Sequence, residues 1–148
     1  MRIERATEAD VDVISAILGE IEDYYGGSAT PGDVHQIRAA LFGVRPAATV
    51  LLAHDGEQVL GLASYSLLWP AAGADSSLYL KELYVREAAR RRGVAGALME
   101  ALKVEAAVAG CSRVEWTADQ DNPAALAFYR ALGAERHHGK VFYRVESS

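Results

Sequence analysis

The chain has 148 residues, 51% hydrophobic and 24% charged, with a formal net charge of −5 and one cysteine. That balance excludes a disordered polymer and supplies enough chain for one buried core. No apolar run is long enough to cross a bilayer, a lone Cys111 cannot form an internal disulfide, and an acidic total argues against nucleic acid as a partner, which needs many phosphate-neutralising cations. The opening Arg2-Ile3-Glu4 lacks the apolar core of a signal peptide. The expectation is a single cytoplasmic domain over residues 1–148, with no membrane partner.

The first strand is predicted over residues 1–6. Thr7 can cap a helix, with Asp10 as the acid three residues on. Val11, Ile14, Ile17, Leu18 and Ile21 then recur at helical spacing up to Gly26-Gly27. Thr30-Pro31-Gly32-Asp33 opens a second helix with Pro31 at its first position, and Val34, Ile37 and Leu41 form its stripe. The period changes after that. Residues 49–54 and 59–69 read as strands joined by the Asp55-Gly56 turn, and 77–85 as another strand. A helix is predicted over about 93–109, with Val94, Leu98, Leu102 and 104–107 as its apolar residues and Gly110 as its stop. Residues 113–118 read as a strand and 123–132 as a helix capped by Asn122 and ended by Gly133. Residues 140–145 read as a closing strand. The order β-α-α-β-β-β-α-β-α-β implies an α/β (α+β) fold with a mixed sheet and helices on both faces.

The stretch that carries chemistry runs from Leu78 to Gly96. A strand feeds a short loop, then Arg90-Arg91-Arg92-Gly93-Val94-Ala95-Gly96 begins a helix. A helix N-terminus exposes unpaired N–H groups and the positive end of its dipole, which suits phosphate oxygens. Gly93, Ala95 and Gly96 are small enough for close approach, and three arginines add charge. A nucleotide P-loop would need Lys-Ser/Thr after its last glycine, where Ala97-Leu98 stands. A dinucleotide fingerprint would need three glycines, and only Gly93 and Gly96 are present. The competing reading of this heptapeptide is a solvated basic turn with glycines for packing.

A second stretch, residues 121–134, bears on that choice. Arg90-x-x-Gly93-x-Ala95 matches the Q/R-x-x-G-x-G/A signature of the GNAT family of N-acetyltransferases. Asn122, Ala125, Phe128-Tyr129 and Leu132-Gly133 resemble the family's following motif. The resemblance covers essentially the whole chain. Within the family, the strand over 79–85 and the helix over 129–134 look most like those of diamine acetyltransferases of the spermidine/spermine and thialysine types. The resemblance implies a mostly antiparallel sheet of about six to seven strands flanked by about four helices, and commonly a homodimer.

The resemblance also implies roles. Acetyl-CoA would be the co-substrate, lying between splayed parallel strands over 80–85 and 114–118. Leu83 and Val85, with Tyr84 between them, would meet its pantetheine arm. Main-chain N–H groups of Arg91, Arg92, Gly93, Val94, Ala95 and Gly96 would hold its diphosphate, with Arg90 nearby. Asn122 and Ala125 would lie along the arm. Tyr129 would be the general acid, because a phenol can donate a proton to the departing thiolate. Glu82 is the candidate base that removes the proton from the acceptor ammonium. The similar diamine enzymes carry a glutamate where Lys81 stands and an acid where Glu82 stands, and regular alternation turns neighbouring strand residues to opposite faces.

The acceptor is expected to be a small-molecule amine, selected by the first two helices and the loop over 69–76. Glu20, Glu22 and Asp23 beside Tyr24-Tyr25 could attract a cation or form a solvated helix end. Alternatives are a protein, peptide or aminoglycoside amine as acceptor, or an acyl-CoA-binding module without catalysis. His137-His138 lacks partners at ligand spacing, so no metal is expected.

Overall fold

The computed structural model describes residues 1–148. The chain divides into two compact units, Met1–Trp116 and Thr117–Ser148. The first holds β1 (Arg2–Arg5), α1 (Val11–Tyr24), α2 (Val34–Phe42), β2 (Thr49–Asp55), β3 (Gln58–Leu68), β4 (Ser76–Val85), α3 (Val94–Val108) and β5 (Cys111–Glu115). The second holds α4 (Pro123–Ala131). The strands form one sheet in the order β1-β2-β3-β4-β5. β1 to β4 pair antiparallel, and β5 joins β4 in parallel after the α3 crossover. The sheet is thus mixed and mostly antiparallel, as expected for the fold class.

Period-two alternation in the strands builds two apolar layers. Val50, Leu52 and Leu62 face α1 and α2, where Val11, Ile14, Ile17 and Ile21 of α1 and Ile37 of α2 close the core. The intervening Leu51, Ala53, Ala63 and Tyr65 are also buried. They face α3, whose Val94, Leu98, Leu102 and Ala106 are buried at a spacing of four. Val104, placed by sequence among the apolar residues of α3, is exposed. Thr7 precedes a short 3-10 turn, Glu8–Asp10, that leads into α1; its N–H donates to Asp10 Oδ2 at 2.8 Å, but its side chain does not make the predicted cap bond.

Three expected elements differ. The second helix begins at Val34, not at Pro31. Asp33 is its cap, with Oδ1 accepting from Gln36 N–H at 2.9 Å. Residues 30–32 instead lie along α1, where Gly32 N–H donates to the Ser15 carbonyl at 3.0 Å and Ser15 Oγ to the Gly32 carbonyl at 2.6 Å. The fifth strand is earlier in sequence than expected, because its parallel ladder starts at Cys111 opposite Ser76. The closing strand over 140–145 does not form, so the sheet has five strands rather than six or seven. A strand needs a ladder partner, and this segment has none: Val141, Phe142, Tyr143 and Val145 are all exposed, and Arg144 lies over the Phe142 ring.

Leu52 is fully buried between the sheet and α1. Leu52→Ala should lower unfolding free energy by about 2–5 kcal/mol, whereas Val44→Ala, at a fully exposed position, should change it by less than about 0.5 kcal/mol. Urea denaturation of both variants measures the contrast.

Candidate cofactor and active site

The site begins where β4 and β5 part. Their ladder runs from Ser76 with Cys111 to Tyr79 with Glu115. β5 ends there, while β4 continues to Val85. The β5-side edge of residues 80–85 therefore has no neighbouring strand. Main-chain direction along this edge can be read from β3. The Tyr84 carbonyl points at β3, since a Cβ placed on Gly61 would lie 2.5 Å from it, and Arg86 N–H donates to the Leu60 carbonyl at 2.9 Å. Val85 thus presents its N–H and C=O to the open edge, and alternation gives Leu83 the same orientation. Tyr84, grouped with them from the sequence, differs: its carbonyl faces β3 and its ring packs against the α1 and α2 layer.

The open edge leads into the first turn of α3. Arg91 and Gly93 have φ of 65° and 77°, so the loop reverses tightly before the helix. Gly93 is the N-cap and brings no side chain to the helix end. The first helical bond is Ala97 N–H to the Gly93 carbonyl at 3.1 Å, which leaves Val94, Ala95 and Gly96 N–H groups without helical acceptors. A Cβ added to Gly96 would meet nothing within 4 Å. Internal packing therefore does not require a glycine here, although glycine weakens a helix.

The three arginines separate in role. Arg90 Nε donates to the Val85 carbonyl at 3.2 Å. Arg92 pairs with Asp55 at 2.8 Å. Both guanidinium groups are engaged by the protein, so Arg91 is the one of the three directed to neither a carboxylate nor a carbonyl. Residues 91–96 follow the Leu83 and Val85 edge through the loop that Arg90 ties to the Val85 carbonyl.

Glu82 is placed by a β-bulge. Ser64 pairs with Glu82 but Tyr65 pairs with Leu80, so Lys81 is an extra residue on β4. Without it, Glu82 would share the face of Leu80, towards α3. With it, Glu82 and Tyr84 share the face towards α1, and Lys81 is exposed. The adjacent last turns of α1 supply Glu20, Tyr24 and Tyr25. Glu20 binds Arg86 through Nη2 at 2.7 Å and Nε at 3.1 Å, and Tyr84 OH donates to Glu20 Oε1 at 3.5 Å. Burial raises the Tyr84 pKa above the usual phenol value. Nearby Glu20 adds to the rise, and Arg90 opposes it. Tyr84 thus stays a neutral hydroxyl at physiological pH.

In the second unit, Asn122 caps α4 by accepting from Ala125 N–H at 3.1 Å, and Pro123 follows it in the first turn. Tyr129 is partly buried, with its ring 5.2 Å from that of Phe128. Both Asn122 and Ala125 thus take part in the start of the helix.

The bridges from Glu20 to Arg86, Asp55 to Arg92 and Tyr24 to Arg90 were not anticipated. They link residues 37 to 66 positions apart, and only the acidic and aromatic character of the end of α1 was a signal for them. No group of three or more His, Cys, Asp or Glu side chains is arranged to hold a metal ion.

The family model for acetyltransferases of the GNAT family matches residues 14–134. The chain belongs to that family. This GNAT chain is also 31% identical over 77 residues to L-ornithine N5-acetyltransferase NATA1 of Arabidopsis thaliana. The match covers 52% of this chain and spans only 34% of the relative's length. The expectation of the GNAT family is therefore met, while the finer likeness to diamine acetyltransferases is not shown by these relatives. Among solved structures, an integron cassette protein from the mobile metagenome of V. cholerae is similar with a TM-score of 0.85 and 31% identity, over 99% of this chain and 92% of that one. An aminoglycoside acetyltransferase from an uncultured soil sample, in complex with sisomicin, has a TM-score of 0.80 at 21% identity, over 98% and 96%. At that identity the second likeness concerns the fold alone.

Gly96→Ala should separate stability from binding. With space for the new methyl, the variant should be more stable by about 0.5–1 kcal/mol, yet bind coenzyme A at least tenfold more weakly. Thermal unfolding and titration calorimetry on the same preparation measure both.

Proposed function

We propose that residues 1–148 act as one N-acetyltransferase domain that moves an acetyl group from acetyl-CoA to a primary amine of a small molecule, by direct attack within a ternary complex. The observation that carries this reading is the continuity of the open β4 edge with the uncapped N-terminus of α3, where Gly96 leaves room against the backbone. An edge of alternating N–H and C=O groups suits the amides of a pantetheine arm, and a ring of N–H donors suits a diphosphate. The family match supports one domain, since it crosses the boundary between the two units.

When bound, acetyl-CoA supplies an acetyl group activated as a thioester. Leu83 and Val85 would hold its arm by main-chain hydrogen bonds. Val94, Ala95 and Gly96 N–H groups and the Arg91 guanidinium would hold the diphosphate. On the acceptor side, Glu82 would remove the ammonium proton, directly or through a water, because a protonated amine has no lone pair for attack. Its position beyond the Lys81 bulge supports that role, by turning the carboxylate to the face shared with α1. Tyr129 would donate its phenolic proton to the leaving sulfur, and its reference pKa of about 10 stands close enough to a thiol's of about 8.5 for that transfer. Asn122 would contact the arm.

The deciding assay is thiol release from acetyl-CoA with a panel of amines, including polyamines, ornithine, lysine analogues and aminoglycosides. Acetylation of a small amine is the expected result, and tight coenzyme A binding with no thiol release across the panel would instead indicate a binding module. With the best acceptor, Tyr129→Phe should reduce kcat about 100-fold and leave coenzyme A affinity within about twofold. Undiminished turnover in that variant would remove Tyr129 from the reaction.

A further inference from the structure

Arg90 lies in the cofactor loop yet is held from another element. Its Cζ is 5.6 Å from the centre of the Tyr24 ring and 5.8 Å from that of Tyr84, within the range of cation–π attraction. The two rings meet edge to face, with centres 6.4 Å apart. Nε of the same guanidinium donates to the Val85 carbonyl at 3.2 Å. One turn before Tyr24, Glu20 holds Arg86 and meets the Tyr84 hydroxyl. The last turns of α1 thus grip residues 84, 86 and 90, on both sides of the end of β4.

This grip answers a question raised by the next residue. Arg91 is the one non-glycine residue at positive φ in the chain. Such a conformation is unfavourable for a residue with a Cβ and persists only where the surroundings hold it. Arg90, its immediate neighbour, is held on one side by two rings and on the other by a main-chain carbonyl. The N–H groups of residues 94–96 follow directly after this turn, so their direction depends on it.

We propose that Tyr24 is a positioning residue for the cofactor. Its ring fixes Arg90, Arg90 fixes the turn through Arg91, and the turn aims the diphosphate-binding N–H groups. Tyr24 itself acts without touching the cofactor. The inference rests on the coenzyme A reading given above.

Titration calorimetry of the full chain with coenzyme A tests it, using wild type, Tyr24→Leu, Tyr24→Phe, Arg90→Met and the Tyr24→Leu/Arg90→Met double variant. Tyr24 is half exposed, so none of its substitutions opens a core cavity. The Leu variant should bind coenzyme A about fivefold more weakly. The Phe variant, which keeps the ring face, should stay within about twofold of wild type. The double variant should bind no more weakly than Arg90→Met, because both changes remove one interaction. Wild-type affinity in the Leu variant, equal losses with Leu and Phe, or additive losses in the double variant would each overturn the assignment. Absence of heat with wild type would overturn the coenzyme A reading itself, a result distinguishable from all of these.

Discussion

The structure depends on the point where two parallel strands stop pairing. Through Tyr79 and Glu115, β4 and β5 satisfy one another's main-chain groups. Beyond it, β4 runs on with one edge paired to β3 and the other open. Buried or half-buried N–H and C=O groups need partners, so an open edge inside a sheet is a demand for a ligand as much as an opportunity for one. α3 starts at the end of that edge, and the N–H groups of its first turn have no helical acceptors. One elongated, amide-bearing molecule with a diphosphate would answer both.

Local departures from backbone regularity lie along and just after this edge. The Lys81 bulge changes the face on which Glu82 and Tyr84 stand, so one inserted residue joins a carboxylate to the side of the sheet covered by α1. Gly96 forgoes helix propensity where the fold has space for a side chain. Arg91 adopts a backbone conformation that most residues avoid. These departures fall between residues 81 and 96, while the α1 layer and the α3 layer are packed with ordinary aliphatic residues. Departures from regular structure concentrate where a protein does its chemistry.

Much of this was legible in the residues alone. The spacing of Val11, Ile14, Ile17 and Ile21 marks α1, and Asp55-Gly56 marks the hairpin between β2 and β3, because local periodicity and turn chemistry are written in neighbouring positions. The helix start after Gly93 was visible in the same way. Residues whose role depends on distant partners were not. No local signal says that Lys81 is bulged, since that follows from register against β3. Nor does one assign Arg90 to Tyr24 and Arg92 to Asp55 rather than to a phosphate. The run Val141-Phe142-Tyr143 looked like a strand because β-branched and aromatic residues report a preference for extended structure and cannot supply the neighbour that a ladder requires.

The central claim is that the β4 edge and the start of α3 form one continuous receptor. A crystal structure of the chain with coenzyme A tests it most directly. The account predicts diphosphate oxygens within hydrogen-bonding distance of the Val94, Ala95 and Gly96 N–H groups, and pantetheine amides paired with Leu83 and Val85. A diphosphate bound away from the first turn of α3, with the β4 edge left bare, would contradict it.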